Sequence, residues 1–183
     1  IDYTPNGCAQ AEAVLARAGV GGEVYCRDFF ELPGELAEAF DWGVSFGVAE
    51  HFQDTASCLE AFSRYLKPGA GLITTIPNLS GALGWLQKRA DRAVYDIHVP
   101  LDREQLRAAH ERAGFRVESC DYFLSANWSV LNFESWRDRR LQALGTRVRS
   151  YASKVFWLAD EAGVGVSPNR LTSPYIVCIA RKL

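Results

Sequence analysis

Phe40-Asp41-Trp42-Gly43-Val44-Ser45-Phe46-Gly47-Val48-Ala49-Glu50-His51-Phe52 reads as a short strand that stops at a glycine. Asp41 is a turn residue, the positions from Trp42 to Phe46 are largely apolar and β-prone, and Gly47 sits where the strand ends. Glu50 and His51 then open the next segment as a charged and polar pair. In an open α/β sheet, ligands bind beyond the carboxyl ends of the strands, which makes this corner a candidate ligand edge. Downstream, Tyr65-Leu66-Lys67-Pro68-Gly69-Ala70-Gly71-Leu72-Ile73-Thr74-Thr75-Ile76-Pro77-Asn78 supplies a helix end, a turn, a buried strand and a stop at proline.

Working outward, helical and strand patterns alternate. Ile1-Asp2 has the form of a strand tail, and Thr4-Pro5 supplies an N-cap and a proline at the first helical position. Cys8, Ala11, Leu15 and Ala16 share a helix face that Gly19 closes. A strand is expected at Glu23-Val24-Tyr25-Cys26-Arg27, ending at Asp28-Phe29-Phe30, followed by a short helical stretch from Pro33 to Ala39. Asp54 or Thr55 caps a helix with Cys58, Leu59, Phe62 and Leu66 on its apolar face. Residues 79–98 form a connection that is partly helical around Trp85 to Ala90. Asp102-x-x-Gln105 is a capping box opening a helix that Gly114 closes. Strands follow at Phe115 to Cys120 and Tyr175 to Ala180. Strands separated by helices imply an α/β fold with a mainly parallel, doubly wound sheet covered on both faces.

About fifty residues, 123–173, separate those last two strands, more than a hairpin needs. This insertion is rich in aromatic residues, with an Arg-rich helical middle from Arg137 to Lys154. Two readings stand: an amphipathic helix pair packed on the sheet, or a substrate cap.

The 183 residues suffice for one domain, and 48% hydrophobic with 23% charged content is ordinary for a globular protein. A net charge of -2 gives no reason to expect nucleic acid or an anionic membrane as partner. No apolar run approaches the roughly 18 residues of a membrane span. The five cysteines show no C-x-x-C spacing, which points to reduced thiols and a cytoplasmic setting. The composition does not address oligomeric state.

The order of these pieces over residues 1 to about 122 resembles the class I S-adenosylmethionine-dependent methyltransferases, specifically those acting on small molecules. The resemblance rests on Ile1-Asp2, Asp28-Phe29, Phe40-Asp41 through Phe52, Leu66 through Gly69, Ile76-Pro77-Asn78 and His98 through Gly114. It implies a Rossmann-like fold with an antiparallel last strand. Family members carry a further strand and a glycine-rich loop upstream of the position of Ile1. The chain, which has no methionine, is therefore expected to be the larger, C-terminal part of a single methyltransferase domain.

The resemblance assigns S-adenosylmethionine as cofactor, with Asp2, Tyr3, Asp28, Phe29, Ser45, Phe46 and Gly47 around it. Asp2 matches the residue that accepts hydrogen bonds from the ribose diol, although an acid at a helix start is also favoured by the helix dipole. Asp28 matches the acceptor of the adenine amino group, with Phe29 beside the ring, although aspartate is also common in turns. Tyr3 stacks on adenine or simply packs. His51 is a candidate base for the acceptor's proton or a structural helix-entry residue. His98 orients substrate or fixes its own loop, and His110 is expected to be packing or surface. Glu50, Trp85, Tyr95, Trp128 and Trp136 are candidate substrate contacts, the four aromatics walling a cavity between 79–98 and the insertion. Some relatives hold a divalent metal with Glu-x-x-Glu-His. Here Gly47 replaces the first glutamate, which leaves two ligands in the run, and no metal is expected. The alternatives are a nicotinamide-dependent oxidoreductase on a related sheet, disfavoured by the lack of a Tyr-x-x-x-Lys pair, and an inactive methyltransferase-like subunit that binds a partner through an exposed apolar face on the insertion.

Overall fold

The structure is a computed structural model that describes residues 1–133 and 136–183; positions 134 and 135 of the insertion lie outside the described residues. Its helices begin and end where local chemistry dictates. In α1 (Pro5–Ala18), Thr4 accepts a bond from the Gly7 amide at 3.1 Å and Pro5 occupies the first turn. Gly19, at φ 65°, closes the helix in the left-handed region where a side chain would be strained. The next elements are β1 (Phe40–Phe46), α2 (Thr55–Ser63, capped by Asp54), β2 (Leu66–Pro77), α3 (Ala82–Ala90) and α4 (Arg92–Asp96). After them come α5 (Arg103–Arg112), β3 (Phe115–Phe123), α6 (Arg139–Glu161) and β4 (Tyr175–Lys182). The capping box of α5 is formed in both directions between Asp102 and Gln105.

The sheet order is β1-β2-β4-β3. β1 and β2 pair in parallel, and β4 runs antiparallel to both its neighbours. Three strands therefore share a direction and the last runs against them, as expected. Leu72 and Ile76 of β2 and Ile176, Cys178 and Ala180 of β4 face α2 and α5, burying with Leu59, Leu106, Ala109 and Phe115 in one core. His110 belongs to this core: its Nδ1–H donates to Leu106 O at 2.9 Å, and its Nε2 accepts from the Thr74 hydroxyl at 3.0 Å. It is a packing residue, because the paired ring satisfies two polar groups that burial would otherwise penalise.

Three expectations need correction. The strand at 23–27 reduces to a single parallel bridge between Asp2 and Cys26, because Ile1-Asp2 is too short to support a longer ladder. Lys67-Pro68-Gly69 does not precede β2 but bulges within it: Phe40 pairs with Leu66, whereas Trp42 pairs with Gly71. On the sheet face away from α2 and α5, Trp42, Val44 and Phe46 are exposed and Ile73, Val177 and Ile179 half-buried. The insertion supplies a single long helix, α6, not a pair packed on the sheet; α6 buries no residue and rests on the turn at Trp128–Val130. Leu141, Leu144, Val148, Tyr151, Val155 and Leu158 recur along it at three- and four-residue spacing, each more than half exposed. That is the exposed apolar face expected of a partner-binding insertion.

The insertion returns to the sheet through Asn78, whose Nδ2 donates to Arg170 O at 2.8 Å and Ser173 O at 2.9 Å. No helix among the described residues is long and apolar enough to cross a membrane.

Candidate active site

A cavity of about 750 Å3 opens at the carboxyl end of β1. Asp2, Tyr3, Asp28, Phe29, Gly47 and His51 all line it. Residues far apart in sequence thus converge where the sheet topology predicts a ligand.

Local chemistry places each group. Asp2 Oδ1 accepts from the Thr4 amide and the Thr4 hydroxyl, both at 2.7 Å, and these bonds, the hydroxyl first, hold its carboxyl below the usual range. A Cβ on Gly7 would stand 2.3 Å from Asp2 Oδ2, so glycine there lets the first turn of α1 approach the carboxylate. Asp28 Oδ1 accepts from the Phe30 amide at 2.9 Å, the short-range bond of a turn aspartate. Phe29 stacks on Phe62 at 4.8 Å, and its carbonyl accepts from the Tyr65 hydroxyl at 2.7 Å, which fixes the cavity's aromatic wall. Tyr3 is 77% exposed and free of the core.

At the β1 corner, Gly47 has φ 65° and donates its amide to Thr75 O at 3.0 Å, so a side chain there would be strained. Ser45 is buried with its hydroxyl unpartnered, and Phe46 is 71% exposed. These two line an adjoining cavity of about 400 Å3 that shares Asp2, Phe29 and Val48 with the first. That second space runs along the edge of β1 opposite β2, where no strand pairs among the described residues.

Glu50 does not face the cavity as a substrate contact. It is 1% exposed, its Oε2 has no hydrogen-bond partner, and burial pushes its carboxyl above the usual range against the weaker opposing effect of its own backbone amide and His51. Burial first, and the Glu50 carboxylate second, push the Cys58 thiol up to about 12. His51 Nδ1–H donates to Ile97 O at 3.1 Å and His98 Nδ1–H to Val94 O at 2.6 Å, the carbonyls fixing both tautomers. The two rings lie 4.5 Å apart, and burial lowers the His98 pKa. His51 lines the cavity wall; His98 stands behind it.

A raised acid binds its proton more tightly in the folded state, so its stabilising contribution is present below the ordinary glutamate pKa and is lost as pH rises through the folded value. We expect Glu50→Gln, which removes the buried charge, to melt about 2–4 °C higher than the parent at pH 7.5 in chelator-treated buffer. The difference should shrink toward pH 4. A lower melting temperature for the variant at pH 7.5 would contradict the assignment.

The four aromatic substrate candidates do not share one cavity. Trp85 is 59% exposed with Arg89 over its ring, and Lys88 lies over Tyr95. Trp128 and Trp136 line a separate apolar cavity of about 570 Å3 beneath α6. The insertion is instead tied to α3: Trp136 Nε1 donates to Ala90 O, and Gln87 Oε1 accepts from the Asn132 amide at 2.7 Å. These bonds join the insertion to α3 in the region where the sequence suggested a substrate cavity. Val48 and Phe52 were missed as cavity residues, though their adjacency to Gly47 and His51 was the available signal.

No curated protein matches the chain by sequence. By structure, the chain superposes on a phosphoethanolamine N-methyltransferase 2 of Haemonchus contortus in complex with S-adenosyl-L-methionine, at TM-score 0.61 and 18% identity, covering 99% of this chain and 42% of that one. A putative sarcosine dimethylglycine methyltransferase from Galdieria sulphuraria gives TM-score 0.59 and 15% identity, covering 99% and 68%. The cyclase SpnF gives TM-score 0.58 and 19% identity, covering 98% and 63%. At such identities the likeness concerns the fold, and the chain spans about two thirds or less of the length of these three proteins. The family comparison reaches further, because the Methyltransferase domain family matches residues 8–120, more than half of the chain. With that match over more than half of its length, the chain is a member of the methyltransferase-domain family.

Proposed function

We propose that the protein is an S-adenosylmethionine-dependent methyltransferase that acts on a small organic molecule in the cytoplasm. The observation that carries this reading is the single cavity in which Asp2, Asp28, Phe29 and Gly47 meet. Asp2 keeps Oδ2 for the ribose hydroxyls while Thr4 occupies Oδ1. Asp28 meets the adenine amino group, with Phe29 and Tyr3 beside the ring. Gly47 and the neighbouring Ser45 and Phe46 border the remainder of the cofactor, and the open edge of β1 accepts one further strand of the same domain.

The bound cofactor supplies an electrophilic sulfonium methyl, so the protein's main tasks are alignment and water exclusion. His51 is the histidine placed to act on the acceptor. With Nδ1–H committed to Ile97 O, the Nε2 lone pair is free to take a proton from an acceptor hydroxyl or amine. The structural likeness to the cyclase SpnF shows that the fold alone does not set the reaction, so the test must address the cofactor. Calorimetric titration of the intact protein with S-adenosylhomocysteine and with a nicotinamide dinucleotide should give micromolar binding of the first and none of the second. Binding of the dinucleotide alone would favour the oxidoreductase reading, and binding of neither the partner-binding subunit that the exposed face of α6 suits.

A further inference from the structure

Glu50 and His51 are sequence neighbours, but the third member of their cluster comes from 47 residues downstream. The segment after α4 brings His98 back against β1's exit, fixed by the Val99 amide donating to Glu50 O at 2.6 Å. One ring nitrogen from each histidine and one carboxylate oxygen of Glu50 then lie within 4.8 Å of one another. We propose that Glu50, His51 and His98 form a three-ligand site for a divalent transition-metal cation, Zn2+ by its donor set, opening onto the cavity lined by Asp2 and Asp28.

Two independent features support a ligand there. Glu50 is 1% exposed, and its Oε2 has no hydrogen-bond partner. A buried carboxylate oxygen without a partner is costly, and a cation is the partner that removes that cost without a proton. Both histidines donate Nδ1–H to backbone carbonyls, which fixes their tautomers and leaves the lone pair on Nε2. This backbone support is the arrangement that orients metal-binding imidazoles.

Two imidazoles and one carboxylate form a borderline donor set suited to Zn2+ and poorly suited to Ca2+ or Mg2+. Tetrahedral Zn2+ with bonds of about 2.0–2.2 Å places its donors about 3.5 Å apart. The cluster therefore closes by about an ångström on binding, which side-chain rotation supplies. Three protein ligands leave a fourth position, and His51 places it at the cavity wall. A donor oxygen or nitrogen of a small molecule can occupy that position. His51 Nε2 then serves the ion, and the ion's charge takes over the task of acidifying an acceptor hydroxyl.

The chain contains three histidines, and His110 is committed to the core, so a histidine-dependent metal signal reports this cluster. Titrating the chelator-treated intact protein with Zn2+ at pH 7.5 should show one ion per chain with a micromolar or tighter Kd. His98→Ala and Glu50→Gln should each weaken binding at least tenfold. Acid should also release the ion, because the ligands bind it only in their deprotonated forms. Co2+ in the unaltered protein should give the visible absorption of a tetrahedral site, a readout that needs no variant to fold. Absence of Zn2+ uptake, equal uptake by His98→Ala, or a Co2+ spectrum like that of the free ion would overturn the proposal. The site rests on the cluster and not on methyl transfer: S-adenosylhomocysteine binding that survives in His98→Ala while Zn2+ is lost separates the two, and Zn2+ binding without S-adenosylhomocysteine binding would count against the methyltransferase reading alone.

Discussion

Leu72→Ala should destabilise the protein by about 3–5 kcal/mol, the upper range for a buried leucine. Leu72 is fully buried at the centre of β2, where it pairs with Gly43 on one side and Ala180 on the other. A Cβ on Gly43 would come within 3.2 Å of the Leu72 side chain, so that leucine fills the space that glycine leaves. Once Leu72 is truncated, neither neighbour has atoms to reach into the cavity, and the core can relax only by moving α2 or α5. At about 2–4 °C per kcal/mol for a chain of this size, the melting temperature should fall by about 10 °C. Thermal unfolding followed by circular dichroism checks this, and a fall of under 2 °C would mean that the core is not centred on β2.

Asn78→Ala should cost about 2–4 kcal/mol, from lost hydrogen bonds and not from lost apolar contact. Asn78 is fully buried beyond the end of β2. Its amide donates to two carbonyls of the returning segment, those of Arg170 and Ser173, and its Oδ1 accepts from the Ser80 hydroxyl at 3.0 Å. Alanine leaves these groups unpaired inside the protein. The loss is concentrated where α6's segment rejoins the sheet, so amide hydrogen exchange should accelerate at Leu171 and Ser173 more than in β3. Uniform acceleration throughout the chain would instead mean that the segment does not open separately.

Where local chemistry sufficed, the elements were legible from residues alone. Thr4-Pro5, Gly19 and the Asp102–Gln105 capping box mark helix ends because capping is decided within a few residues. The strand end at Gly47 was legible for the same reason, since a left-handed φ selects glycine. Pairing was not. Glu23 to Arg27 has strand composition, yet a ladder also needs a partner along its length, and Asp2 alone supplies one. The bulge at Lys67 to Gly69 is likewise a property of two strands together.

The site divides in the same way. Asp2, Asp28 and Gly47 could be placed on one edge because strand ends in such a sheet point the same way. The Glu50–His51 run was expected to hold no metal because its ligands were counted along the chain. His98 joins that cluster only through the fold of the segment after α4, which no spacing announces. The aromatic residues of the insertion suggested one shared wall, whereas Trp136 also anchors α3, and Trp128 and Trp136 line a cavity that does not include Trp85 or Tyr95.

The adenosine grip is tested most directly by the affinity of the intact protein for S-adenosylhomocysteine before and after Asp2→Asn. The amide keeps an oxygen for the Thr4 bonds, so α1 stays capped, but it puts a donor where the ribose hydroxyls need an acceptor. The Kd should become about tenfold to a hundredfold weaker, with an unchanged melting curve in the absence of ligand. An unchanged Kd would remove Asp2 from the site and with it the convergence of Asp2, Asp28 and Gly47 on one nucleoside.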